Sequence, residues 1–265
     1  MKRSLLVIAV LVLAAVLVLA ASARAELVSK AVEYTQGGTV LEGYIVWDDA
    51  VKGPRPGVMV VHEWWGLNDF ARQRADELAR LGYVAFATDM YGKGVTTTDA
   101  AKAQELSAPF YGTPLMRERA RAGFDVLAAQ KLVDPRRIGA IGFCFGGAAV
   151  FELAYSGAPL AGVVSFHGSL PAPRPEDFAN IKASILALHG ADDSFETPED
   201  IAQFQKAMRE AGVDWQMALF GGAVHSFTNP DAGKFGIPGV AYNEKAAERS
   251  WQYMKTFFDG VFAKR

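Results

Sequence analysis

Short apolar runs alternate along this chain with longer segments of helical periodicity. Residues 40–46 alternate in the manner of an early strand, although both faces are partly apolar. Residues 53–57, Gly-Pro-Arg-Pro-Gly, predict a turn. Residues 58–61 then form a continuous apolar run, as expected of a strand buried on both faces. A helix is predicted over 69–81, stopped by Gly82. Further strands are predicted at 83–87, 138–143, 161–166, 185–188 and 215–220. The intervening helices are predicted at 115–131, at the small residues after position 147, at 197–211 (closed by Gly212) and at 243–262. Strands that alternate with helices imply a mostly parallel central sheet flanked by helices on both faces. No repeat, low-complexity tract or long linker interrupts the pattern, so residues 26–265 are expected to form one three-layer α/β domain. In such sheets functional groups collect at the carboxyl ends of the strands.

The first residues do not share this pattern. Lys2 and Arg3 precede an unbroken apolar run from residue 5 to 21, followed by Ser22-Ala23-Arg24-Ala25. A basic start, an apolar stretch and small residues at −3 and −1 predict a secretory signal peptide over 1–25, cut after Ala25. The competing reading is a retained membrane anchor, for which the run is at the short limit. With cleavage, no stable membrane insertion is expected and the destination is periplasmic or secreted. Composition agrees with a packed globular body: 51% of the 265 residues are hydrophobic and 21% charged. The formal net charge of −2 excludes a strongly basic nucleic-acid binder. Arg117, Arg119 and Arg121 are the densest basic group, and their spacing does not place all three on one helix face.

Cys144 is the one cysteine in the chain, so an intramolecular disulfide is impossible. It stands in Gly142-Phe143-Cys144-Phe145-Gly146-Gly147, after a predicted strand and before a predicted helix. That is the context of a nucleophile elbow, in which a sharp strained turn lifts the central side chain toward substrate and the glycines allow close strand–helix approach. The helix N-terminus favours a thiolate, and the Phe145 N–H is positioned as an oxyanion donor. The bland alternative is a buried structural cysteine. In this architecture the acid and then the histidine follow the nucleophile. Asp193, three residues after Gly190, is the preferred acid, with its neighbour Asp192 as the alternative. His225 is the histidine that follows both and is the expected base. His62, His167 and His189 also fall at strand ends, where structural or pocket-lining roles are expected. No His-Glu-x-x-His pattern exists, so neither a metal nor any other cofactor is expected.

The segments His62-Glu63-Trp64-Trp65-Gly66, Thr88-Asp89-Met90-Tyr91-Gly92, the elbow, Gly190-Ala191-Asp192-Asp193 and Gly222-Ala223-Val224-His225-Ser226-Phe227 occur in the order found in the dienelactone hydrolase family, which the sequence resembles over nearly all of the mature chain. The resemblance implies the α/β-hydrolase fold and a Cys144–Asp193–His225 triad. It also implies that Glu63 contacts the resting cysteine and that the Trp64 N–H completes the oxyanion hole. Members that process dienelactone carry an arginine four residues after the histidine, where this chain has Asn229. Trp65, Tyr91, Phe110 and Tyr111 are candidate substrate-binding residues. The expected activity is hydrolysis of a small ester or lactone through a thioester. An acyltransferase and a non-catalytic binding protein are the competing readings, and the sequence leaves the oligomeric state open. If the signal-peptide reading is correct, intact-mass analysis of exported protein will find Glu26 as the first residue. A membrane-bound species that retains Met1 would show an anchor instead.

Overall fold

The structure, a computed structural model, describes residues 26–263. The predicted signal peptide and its cleavage site therefore lie outside the described residues. The strands are β1 (Leu27–Gln36), β2 (Thr39–Asp48), β3 (Arg55–Val61), β4 (Val84–Thr88), β5 (Val133–Phe143), β6 (Gly162–Phe166), β7 (Ser184–Gly190) and β8 (Trp215–Phe220). The helices are α1 (Asp69–Arg80), α2 (Ala100–Ser107), α3 (Leu115–Ala128), α4 (Phe145–Tyr155), α5 (Pro198–Glu210) and α6 (Glu244–Ala263). One sheet runs in the order β1-β2-β4-β3-β5-β6-β7-β8. β1 and β2 are antiparallel additions, and every pairing from β4 onward is parallel.

Alternation along the inner strands builds two cores. Met59, Val61, Phe86, Ala140, Val163, Ile185 and Ala187 face the layer that contains α3, α4 and α5. Val58, Val60, Ala85, Ala87, Ile141, Val164, Leu186 and Leu188 face α1 and α6. A strand sends successive side chains to opposite faces, so a run that is apolar at every position is what a two-sided sheet requires. α4 is buried at nearly every position. An apolar helix with no polar face can only sit inside a layer.

Four details differ from the sequence pattern. β1 was not predicted: it is the outer edge strand, none of its positions is fully buried, and only Val32 and Tyr34 pack against the core, which leaves a weak apolar alternation. It joins β2 through Gly37-Gly38, both at positive φ (56° and 80°), a two-residue hairpin turn. The predicted turn at 53–57 is partly strand, because β3 starts at Arg55. Arg55 donates to the Asp48 carbonyl (2.8 Å) and its amide to that of Leu132 (2.9 Å). Pro56, which has no N–H, falls where the β3–β5 register shifts. β5 begins at Val133 rather than 138. Finally, α2 was missed. It is short, capped by the Asp99 side chain on the Lys102 amide, and adds little to the core.

A partly buried ion cluster ties α3 to α4 and to the β6–β7 crossover. Arg117 on α3 donates from both terminal nitrogens to Asp177 (2.8 and 2.7 Å) and from Nε to Glu152 on α4. The bidentate bond from Arg117 holds the Asp177 carboxyl down at about 2, below its ordinary 3.8. A depressed folded-state value stabilises the fold above the unfolded value and is lost as pH falls through about 2. Asp177→Asn should therefore cost about 1–2 kcal/mol at pH 7. Urea unfolding should show this difference shrinking between pH 4 and 2.

Candidate active site

The carboxyl ends of β3, β5, β6 and β7 and the loop after β8 converge on Cys144. Three close approaches shape the turn. A Cβ on Gly142 would lie 1.9 Å from the Gly146 carbonyl oxygen, and one on Gly146 would lie 2.3 Å from that of Val61. One on Gly147 would lie 2.2 Å from Ser165 Oγ. Strand and helix therefore meet with no side chain between them, and Cys144 takes φ 52°, ψ −118°. A non-glycine residue at positive φ is strained and persists only where its surroundings hold it. Here the Cys144 amide donates to the Phe166 carbonyl (3.1 Å) and its carbonyl accepts from the Gly147 amide (2.9 Å). Phe143 and Phe145 are fully buried on either side, while Cys144 stays partly exposed.

His225 lies 8% exposed beside Cys144. Its Nδ1 is 2.8 Å from Asp193 Oδ2. The loop is braced by the His225 amide on the Gly239 carbonyl (3.1 Å) and by the Ala241 amide on the His225 carbonyl (3.2 Å). Burial opposes charge on His225, but Cys144 and Asp193 outweigh it and hold its pKa well above the ordinary value. Burial also works against Asp193, and the His225 bond and the Phe195 amide (2.9 Å) reverse that, leaving its pKa lowered. Asp193, not Asp192, is thus the residue paired with His225. Asp192 is exposed and accepts the Gly222 amide (3.0 Å).

Glu63 is 1% exposed. Its two oxygens accept from Ser226 Oγ (2.8 Å) and Asn229 Nδ2 (2.6 Å). Burial pushes its pKa up, and these two bonds moderate the shift. The Glu63 oxygens are turned to Ser226 and Asn229, and no hydrogen bond joins Glu63 to Cys144. The Phe145 amide opens α4 and has no intrahelical carbonyl to meet. Trp64 sits on the loop between Glu63 and Trp65, and its carbonyl accepts from Tyr91 Oη (3.0 Å).

The other three histidines hold the scaffold. His62 accepts the Met90 amide at Nε2 (3.2 Å), so its proton is on Nδ1, facing the Glu63 carbonyl. His167 Nε2 meets Thr228 Oγ1 (2.7 Å). His189 Nε2 lies 3.7 Å from Asp193 Oδ2. Burial lowers the pKa of each. Among the described residues no His, Cys, Asp and Glu group is arranged to hold a metal ion.

A cavity of about 480 Å³ adjoins the elbow, lined in part by Phe110, Tyr111, Ala148, Ser169 and Glu196. Trp65 and Tyr91 do not line it. Trp65 is 2% exposed, with its ring stacked on Phe235 at 4.1 Å. Tyr91 packs on His62 and Phe145. The sequence reading missed Ser169, Glu196 and Phe195. The Phe195 ring lies 4.8 Å from His225 and is half exposed. The available signal was the position of Phe195 and Glu196 on the loop that carries Asp193.

The model of the dienelactone hydrolase family matches residues 41–262. This protein belongs to the dienelactone hydrolase family. A dienelactone hydrolase-like promiscuous phosphotriesterase from metagenomic libraries superposes with a TM-score of 0.86 at 44% identity, covering 89% of this chain and 98% of its own. A protein of Aquifex aeolicus (strain VF5), named as a candidate carboxymethylenebutenolidase, is 28% identical over 86% of this chain and 96% of its own. Esterase 2 of Thermogutta terrifontis, phosphorylated by paraoxon, shares the fold at a TM-score of 0.62 and 19% identity, covering 88% of this chain and 95% of its own. The protein is thus a dienelactone hydrolase-like ester hydrolase with the α/β-hydrolase fold. Because backbone atoms bound the elbow of this dienelactone hydrolase relative, Gly146→Ala should lower its stability by about 2–3 kcal/mol. Urea unfolding should show a lower midpoint at unchanged slope.

Proposed function

We propose that this protein is an exported hydrolase of small esters or lactones that acts through a thioester on Cys144. The observation that carries the reading is the strained, partly exposed Cys144 beside a His225 that is raised in pKa and bonded to Asp193. His225 takes the Cys144 proton, and the thiolate attacks the substrate carbonyl carbon. The Trp64 and Phe145 amides donate to the oxyanion that forms. As the tetrahedral intermediate collapses, the C–O bond breaks and the leaving oxygen takes the proton from His225. In a lactone that oxygen stays tethered to the acyl group. His225 then removes a proton from water, hydroxide adds to the thioester, and the second collapse releases the acid and restores the thiol. Asp193 holds the imidazole tautomer and stabilises the imidazolium. Glu63, paired with Ser226 and Asn229, is a buried carboxylate that an incoming substrate could release toward the thiol.

Asn229 stands where dienelactone-processing relatives carry an arginine, and its amide is committed to Glu63. This favours substrates other than dienelactone itself. A second reading, phosphotriester turnover, draws support from the 44% identical relative described as a promiscuous phosphotriesterase.

A panel of p-nitrophenyl esters, aryl lactones and one neutral aryl phosphotriester tests both. Cys144→Ala should lower the best ester rate by a factor on the order of 10⁵–10⁶ without loss of the fold, and intact-mass analysis of slow turnover should find the acyl group on Cys144. An unchanged rate in the variant would remove the nucleophile assignment.

A further inference from the structure

The cavity beside the elbow has a charge balance that bears on which esters can enter. It adjoins the nucleophile on two sides. Ala148 lies on the first turn of α4 after Cys144, and Ser169 follows Gly168, where a Cβ would lie 2.9 Å from the Cys144 carbonyl oxygen. Tyr111, 46% exposed, closes a third side, with its ring 6.0 Å from that of Phe145. A substituent on a carbonyl held at Cys144 thus has this space available to it.

Two cations line the cavity, Arg117, whose three guanidinium nitrogens are all engaged, and Arg174, which is engaged through Nε alone and is exposed. Arg117 is held by Asp177 and Glu152. Arg174 pairs with Asp177 (3.2 Å) and Glu176 (3.5 Å). Arg119 points into the core, donating to Gln36 Oε1 (2.9 Å), the Met90 carbonyl (2.9 Å) and Thr39 Oγ1 (3.3 Å). Arg121 is exposed and pairs with Asp125. Glu196 has a different position. It lines the cavity on the loop after Asp193, accepts the Leu170 amide (3.3 Å), and meets no cation among the described residues. The charged lining is thus Arg117, Arg174, Glu152 and Glu196, and of the two glutamates only Glu196 has no cationic partner among the described residues. Burial pushes its pKa up, and bonds from Ser169 and the Leu170 amide act against that and favour its charged form. A carboxylate on the substrate that reaches the Glu196 side of the wall would meet an anion with no cation paired to it, while Arg174 stands mostly exposed elsewhere on the wall.

We propose that this cavity receives a neutral or cationic portion of the ester and rejects anionic ones, with Glu196 as the residue that sets the preference. The proposal rests on the hydrolase reading above and adds a substrate class to it: uncharged or positively charged esters, in contrast to a carboxylate-bearing lactone. In a partly desolvated site one unit charge at this range changes rates several-fold.

Two measurements separate this proposal from the hydrolase reading. The first uses turnover. In the parent protein, kcat/KM for p-nitrophenyl pentanoate should exceed that for the mono-p-nitrophenyl ester of adipic acid by roughly tenfold or more. Glu196→Gln should narrow that ratio roughly three- to tenfold, and Glu196→Lys should narrow it further. The second needs no turnover. Methanethiosulfonates bearing either a trimethylammonium or a sulfonate group modify the single cysteine by forming a mixed disulfide and releasing methanesulfinate. Each rate is divided by that with free 2-mercaptoethanol. The cation-to-anion rate ratio at Cys144 should fall roughly three- to tenfold in Glu196→Gln. If both ratios are the same in the parent and the two variants, or if the parent cleaves the adipic monoester as readily as the pentanoate, the proposal is overturned. If no ester is cleaved but the modification ratio shifts as stated, the charge preference stands and the hydrolase reading falls.

Discussion

Everything at this site depends on the distance of closest approach between β3, β5 and α4. The backbones meet at Gly142 and Gly146 with room for hydrogen atoms only, and Gly147 lies against the Ser165 hydroxyl and the Gly168 backbone. The turn between strand and helix must then be made in a single residue, and Cys144 takes the strained positive φ that makes it. Strain of this sort costs of order 1–3 kcal/mol and is retained where the surrounding structure supplies the difference. Here the supply is visible: Phe143 and Phe145 are buried to either side, α4 lies in the interior at nearly all its positions, and Phe143 stacks on Phe166 at 4.8 Å. The same geometry leaves the thiol and the first amide of α4 facing one space.

Four histidines and two buried carboxylates crowd the carboxyl ends of the strands, and their surroundings assign them different protonation states. His62, His167 and His189 are kept neutral by burial. Only at His225 do a thiol and a carboxylate together outweigh the cost of desolvation. The carboxylates diverge in the same manner. Burial acts against both, but Asp193 meets a histidine that can be charged, whereas Glu63 meets mainly a hydroxyl and an amide. Neutral donors stabilise a carboxylate less than an ionised partner does, so Asp193 keeps its charge and Glu63 is the group whose proton affinity is raised. This divergence of two carboxylates is the pattern expected where one group orients a base and another is held in reserve.

Ion pairs tie together the elements that form the cavity wall. The Arg117 cluster joins α3, α4 and the β6–β7 crossover at a partly buried point, and planar bidentate pairing fixes both orientation and distance. The Asp193 loop presents Phe195 to His225 and Glu196 to the cavity. The carboxylate that pairs with His225 and the glutamate that lines the cavity are therefore carried by one segment, after β7.

Much of this was legible in the chain itself. Apolar runs on the inner strands, helical periodicity between them and the glycine spacing around Cys144 are local signals that predicted the layered sheet and the elbow, while the ordered motifs carried the family resemblance. Local signals failed at β1, an edge strand that packs only Val32 and Tyr34 against the core, and at α2, which packs little apolar surface. Spacing preferred Asp193 and kept Asp192 as the alternative, since one residue of loop geometry decides which carboxylate points inward. The state of Glu63 was beyond local signals altogether. Its partners, Ser226 and Asn229, lie far along the chain on the loop after β8, and only folding brings those donors to its two oxygens. The charge of the cavity was decided in the same way. Arg117, Arg119 and Arg121 read alike in sequence, but tertiary packing commits one to a partly buried cluster, turns one into the core and leaves one on the surface. Whether a guanidinium is free depends on which carboxylates the fold places around it, and sequence spacing does not carry that information.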